Sequence, residues 1–406
     1  MITTLLFDLD GVLLDNDPDA FLPAYLDLLA RHFDGGVGVE RIRLELVNAY
    51  RTVMSNTDPT RNLWAIFQEC FSLGTRWTPV TVSSIFDDFH RQSYPRLRAL
   101  TRVLPAARAV IEWAFTTGYE VAIAASPIFR RVEMVDRLRW AGIDNFPYAL
   151  IPSIEDSHFA KPHPEYFGEV LARLGRRPDE ALVIGSDWAG DMLPAAALGM
   201  PHYWIKSNGT PPPPGGDGAQ PLGAGTLEDF PTWALNTLPR LSAPSQPSGH
   251  ALPYLLSANL AAVAGMLAEA GLTDQVWAER PAASEWSLTE IVCHLRDVER
   301  DVHLPRLLRV INTDNPFISG ADTDPWAAER DYQAQSGPQA LQDFIAARKE
   351  TYGFLRTQPE SAWSRPARHA IFGPTQLAEI AGWILDHDRL HLAQLRKTKA
   401  SVGVRP

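Results

Sequence analysis

Hydrophobic positions change rhythm along the chain. Up to about residue 206, short apolar runs alternate with amphipathic stretches, the pattern of an α/β fold with a parallel sheet. Runs at 3–7, 120–125, 148–151, 181–184 and 202–205 predict strands. Residues 16 to about 100 break this alternation with helical patterns such as "FLPAYLDLLARHF" and "IRLELVNAYRTVM", which predict a helical insert after the first strand. "TPPPPGGDGAQPLGAG" (210–225) is too rich in Pro and Gly to form an element and reads as a loop, and "LEDFPTWALNTL" completes the first domain.

The breaker-rich stretch "SAPSQPSGH" (242–250) marks a linker. Beyond it strand signals stop, and four amphipathic helices are predicted at about 253–271, 288–312, 337–357 and 375–397. Ser287 and Glu290 form a capping box for the second, and Pro305 predicts a kink or a shortening of it. The expected organisation is therefore a first domain at 1–240, a linker at 241–251, and an all-α four-helix bundle at 252–398.

The 406 residues are 45% hydrophobic, enough for more than one core. A net charge of -11 opposes binding to nucleic acid and to an acidic membrane surface. Two cysteines are too few for a disulfide framework, and no apolar run approaches membrane-spanning length, so a cytoplasmic protein is expected.

Candidate chemistry begins in "LLFDLDGVLLD", where an apolar run ends in Asp8 and Asp10. Two carboxylates at the end of a buried strand resist desolvation unless positive charge or chemistry accompanies them. Further runs end near Ser126 ("VAIAASPIF"), Lys161 ("HFAKPHPEYF") and Asp187 with Asp191 ("GSDWAGD"). A parallel sheet brings its carboxyl strand ends to one edge, so these residues can converge. Phosphoryl transfer accounts for each type: Asp8 as nucleophile, Asp10 as general acid and base, Lys161 as charge stabiliser and Ser126 as a phosphate ligand. Mg²⁺ would find oxygen ligands in Asp8, the Asp10 carbonyl, Asp187 and Asp191.

In order and spacing, "DLDGV", "AASP", "KPHPEYF" and "GSDWAGD", with "RLRWAGI" and "AALGMPHYWI", resemble the haloacid dehalogenase-like hydrolase superfamily over residues 1 to about 240. The resemblance implies a Rossmann-like sheet, makes the insert a cap that selects substrate, and, through Asp10, favours a phosphatase-type member acting on a small phosphorylated metabolite. Many relatives begin the fourth motif with Gly-Asp, whereas Ser186 follows Gly185 here, so the choice between Asp187 and Asp191 as direct metal ligand stays open.

In the bundle, His387 and His391 are four apart on one helix face, and His294 lies on the inward face of the second helix. Three imidazoles could hold Zn²⁺ or Ni²⁺ and leave a position open, with Asp297 or Asp386 orienting a ligand. Trp286-Ser287, His294, the His387/His391 pair and the "HLAQL" ending resemble the DinB-like four-helix bundle family. That resemblance implies a metal-binding domain, and related transferases activate a low-molecular-weight thiol. A bundle serving only docking or dimerisation is the alternative.

Overall fold

Thr4–Phe7 forms the first strand, β1, with all four residues buried, as expected of a parallel strand covered on both faces. The structure, a computed structural model, describes residues 1–33, 36–206, 211, 218–241, 247–268 and 272–402. The chain divides into two compact units, Met1–Pro244 and Ser245–Pro406.

After β1 a short strand, β2 (Leu14–Asp15), leads into the helical insert, which contains α1 (Pro18–His32), α2 (Val39–Met54), α3 (Leu63–Thr75), α4 (Pro79–Gln92) and a 3₁₀ segment, Tyr94–Leu100. Strand β3 (Arg102–Val103) closes its base by pairing antiparallel with β2. Two-residue strands carry no alternation, which is why the sequence pattern does not show this ribbon. Aromatic edges hold the insert to the sheet unit. The Tyr25 ring of α1 lies 5.5 Å from Phe89 inside the insert and 5.1 Å from Phe129 outside it, edge-on in both cases.

The chain then runs through α5 (Pro105–Thr116), β4 (Glu120–Ile123), α6 (Arg131–Trp140), α7 (Pro164–Leu174), β5 (Ala181–Gly185), α8 (Leu193–Ala197), β6 (His202–Ile205), β7 (Gly223–Gly225) and α9 (Phe230–Thr237). The five-stranded sheet has the order β4-β1-β5-β6-β7, and every pairing is parallel. Two strand expectations change. The run at 148–151 makes only one bridge, Leu150 to Ala122, beside β4. Gly223–Gly225, within the stretch read as a loop, extends the sheet on β6. Backbone pairing at an open edge needs no side-chain signal, so a Gly-Ala-Gly triplet can supply it. Of that loop, residues 210 and 212–217 lie outside the described residues, as do 242–246 of the linker.

The second unit is built on α10 (Ala251–Leu267), α12 (Leu288–Val298) continued by α13 (Leu304–Asn312), α15 (Gly337–Arg356) and α16 (Leu377–Ser401), with two short helices, α11 (Asp274–Ala278) and α14 (Trp326–Glu329). Strands do occur here: β8 (Phe317–Ile318), β9 (Pro366–His369) and β10 (Gly373–Gln376) make a small sheet. They are too short to stand out from loop sequence. Pro305 neither ends nor shortens the second helix. A π-helical turn, Glu299–His303, precedes it, and the helix continues through Leu304–Asn312.

The start of α12 is doubly capped: Ser287 Oγ accepts from the Glu290 amide at 3.2 Å, and Glu290 Oε2 accepts from the Ser287 amide at 2.9 Å. Ser287→Ala is expected to cost about 1 kcal/mol, read as a lower urea midpoint with an unchanged slope. An unchanged midpoint would show that the cap adds nothing to stability.

Candidate functional site

Sheet register decides which residues meet. Phe7 is level with Ile123 on one side and Ile184 on the other, so Asp8, Ala124 and Gly185 are the next residues at one carboxyl edge. The Asp8 amide donates to the Ile184 carbonyl at 2.9 Å, and the Ala124 amide to the Phe7 carbonyl at 2.7 Å. Lys161 reaches this edge from the loop before α7: its Nζ lies 3.0 Å from Asp8 Oδ1 and also hydrogen-bonds Asp191 Oδ1. All three side chains are buried. Glu169 of α7 tethers the Lys161 loop by accepting from the His158 amide at 2.9 Å and pairing with its Nδ1 at 2.7 Å.

Burial dominates the charge states of this cluster. Burial, with Asp191 and Asp10 nearby, pushes the Asp8 carboxyl up to about 7 although Lys161 pulls it down. Burial raises Asp191 as well, whereas the two carboxylates hold the Lys161 ammonium firmly protonated against its own burial. A hard divalent cation suits this donor set of carboxylates and the Asp10 carbonyl, because added positive charge relieves the desolvated acids.

Asp187 and Asp191 occupy different settings. Asp191 is fully buried, and its Oδ2 accepts from the Asp187 amide at 3.0 Å. Asp187 is exposed and caps the following π-helical turn through the Ala189 amide at 3.0 Å. Gly185 permits this packing, since a Cβ there would sit 2.2 Å from Asp191 Oδ2. Ser186 Oγ donates to the Asp10 carbonyl at 3.4 Å. Ser126 Oγ is buried without a hydrogen-bond partner among the described residues, which leaves its hydroxyl available to a ligand oxygen.

Asp10 hydrogen-bonds neither Lys161 nor Asp8. Its Oδ1 accepts from Asn16 Nδ2 at 2.8 Å and from the buried guanidinium of Arg137. Sequence reasoning missed both partners: Arg137 sits in a charged helix, "RVEMVDRLRW", and has the local signature of a solvated residue.

In the second unit, ligand nitrogens of His294, His387 and His391 all lie within 4.8 Å of one another, with 3.2 Å between Nε2 of His294 and Nε2 of His387. The Nδ1 atoms of those two are buried without partners among the described residues. His391 Nδ1 is held by Gln394 Oε1 at 2.9 Å, and the Trp286 ring lies parallel to the His391 ring at 6.2 Å. Burial pushes His294 down to about 3 and lowers His387 and His391 too, so all three are neutral lone-pair donors at neutral pH, as metal ligation requires. Asp297 and Asp386 do not orient these rings: Asp297 bonds Arg296, Arg330 and Tyr332, and Asp386 pairs with Arg389. A fourth imidazole, His303, lies edge-on to His387 at 5.1 Å, with Nδ1 held by Glu299 at 3.1 Å. The π-helical turn at 299–303 precludes finding it by ordinary helical spacing.

Comparison with known proteins agrees with this division. Residues 2–199 match the haloacid dehalogenase-like hydrolases, and residues 259–395 match the DinB superfamily. Pyrophosphatase PpaX of Anoxybacillus flavithermus is 23% identical over 186 residues, which is 46% of this chain and 75% of that protein. Phosphoglycolate phosphatase 1 of Pseudomonas aeruginosa is 27% identical over 205 residues, 48% of this chain and 66% of that protein. The solved structure of YfiT from Bacillus subtilis, a four-helix bundle of unusual topology, aligns with a TM-score of 0.36 at 17% identity, covering 41% of this chain and 97% of that one. The N-terminal unit is thus a hydrolase of the haloacid dehalogenase-like kind, and the C-terminal unit is DinB-like. Among the described residues no helix is long and apolar enough to cross a membrane.

The lowered imidazoles carry a pH signature in the metal-free protein. Unfolded histidine titrates near 6.5, whereas His294 in the fold titrates near 3, so below about pH 6.5 the unfolded chain binds more protons. Their contribution is intact above that pH and is lost as pH falls. Urea unfolding of metal-free protein at about pH 7.5 and about pH 5.5 should show this loss, and His387→Gln should reduce it. Equal losses in the two proteins would refute the assignment.

Proposed function

We propose that the N-terminal unit is an Mg²⁺-dependent phosphatase that hydrolyses a small phosphorylated metabolite through an aspartyl-phosphate on Asp8. The observation that carries this reading is the buried Lys161 ammonium bonded to both Asp8 and Asp191 at the sheet edge. In the proposed reaction an Asp8 oxygen attacks phosphorus and the bond to the leaving oxygen breaks. Asp10 gives that oxygen a proton, then takes one from the water that cleaves the acyl phosphate. Lys161 offsets the charge of the transferring group, and the free Ser126 hydroxyl donates to one of its oxygens. Bound Mg²⁺ would be held by Asp8, the Asp10 carbonyl and Asp187 or Asp191, and would supply electrostatic stabilisation of the phosphoryl oxygens.

The named relatives act, by their names, on pyrophosphate and phosphoglycolate, both small phosphorylated anions. That class fits an edge with one buried ammonium and an insert packed over the same unit. For the C-terminal unit the three convergent neutral imidazoles favour a metal centre with Zn²⁺ or Ni²⁺ and a position left open for water or substrate. Thiol transfer at that position and docking without chemistry are its alternative uses. The free Cys70 and Cys293 fit a cytoplasmic location.

Phosphate release over a panel of phosphorylated metabolites tests the first assignment. Release should require Mg²⁺, stop with a chelator, and be abolished by Asp8→Asn, whereas full release by that variant would overturn the mechanism. Elemental analysis tests the second: one transition metal ion should copurify with the protein and be lost in His387→Ala. Metal retained in that variant would remove the histidine site.

A further inference from the structure

Arg137 is among the largest fully buried side chains of the protein. A guanidinium out of water is costly, and it is tolerated where charge and geometry compensate it. Its one ion pair among the described residues is with Asp10 Oδ1, and its Nε has no partner there. Its planar group lies 5.1 Å from the ring of Phe21 and 4.6 Å from that of Phe129, contacts that favour a desolvated cation. Phe21 belongs to α1 of the insert, whereas Phe129 follows β4, so one side chain touches insert, sheet unit and Asp10 together.

The same oxygen of Asp10 also accepts from Asn16, which is buried between β2 and α1 at the entrance to the insert. Among the described residues nothing bonds Asp10 Oδ2, and the side chain keeps 21% of its exposure. One oxygen is anchored twice and the other is free.

We propose that Arg137 is a positioning residue for Asp10: with Asn16 it fixes one carboxylate oxygen, leaves the other for proton transfer, and ties that placement to the insert through Phe21. The inference rests on the phosphatase reading of the N-terminal unit. No substrate contact is assigned to Arg137. Its influence reaches the reaction through Asp10, and it is felt most where the leaving oxygen needs a proton.

The test compares glycerol phosphate, an alkyl ester whose leaving oxygen needs protonation, with p-nitrophenyl phosphate, whose leaving group departs as an anion. Arg137→Met should lower kcat for glycerol phosphate by about 100-fold with little change in KM, and lower kcat for p-nitrophenyl phosphate far less. Arg137→Lys should restore part of the difference. Asn16→Ala, which leaves the buried cation in place, should show the same bias if Arg137→Met fails to fold. Equal losses on both substrates would mean a merely structural role and would overturn the proposal. Crystal structures of Arg137→Met and Asn16→Ala provide a readout independent of turnover: the Asp10 carboxylate should leave its present place in each, and its staying put in either would overturn the proposal even in an inactive protein. Absence of phosphate release by the wild type would instead strike at the phosphatase reading.

Discussion

One ammonium group holds the N-terminal site together. Lys161 is buried between Asp8 and Asp191, and each of the three would be untenable in that place without the others. Removing one member of a buried ion group leaves the rest uncompensated, which costs more than the assembled group contributes. Sheet register brings Asp8 beside β5, Gly185 leaves room for the Asp191 carboxylate, and Glu169 fixes the loop that carries Lys161. Local backbone features are thereby subordinated to one electrostatic requirement. Even so, burial keeps the Asp8 carboxyl raised although Lys161 pulls it down. A desolvated carboxylate of this kind is relieved by added positive charge.

The C-terminal unit meets the burial problem differently. Its three convergent imidazoles are made neutral by desolvation, so they need no counter-charge of their own. Charge is concentrated one layer away, where Arg348 hydrogen-bonds both Glu299 and Asp388, and Glu299 in turn holds His303. Asp388 follows His387 directly and faces the guanidinium rather than the imidazoles. The helix that carries His387 and His391 is therefore anchored by a buried ion pair made from a position between them. A helix fixed in this way holds both imidazoles in a set geometry.

What the sequence made legible follows from the range of each interaction. Apolar runs report burial directly, so β1, β4, β5, β6, the insert helices and the four bundle helices could be read from pattern. Asp8, Lys161, Asp191 and the three histidines could be nominated because their residue types are unusual at strand ends or on an apolar helix face. Arg137, Asn16, His303 and Glu169 could not. Each looks ordinary in its own segment, and its role depends on a partner brought near by folding. Strand β7 and the small β8-β9-β10 sheet escaped notice because backbone pairing at an edge leaves little trace in side chains. Asp297 and Asp386 show the converse error: proximity in sequence to a candidate ligand suggested a partnership that arginines take instead.

The two sites also differ in what they can select. Oxygen donors around a buried ammonium favour a hard ion that keeps part of its water shell. Neutral nitrogen donors within 4.8 Å of one another favour a borderline transition ion. Ligand type and geometry, more than raw affinity, distinguish the two donor sets. Each unit carries its own candidate residues on its own elements, Asp8, Lys161 and Asp191 in the first and His294, His387 and His391 in the second.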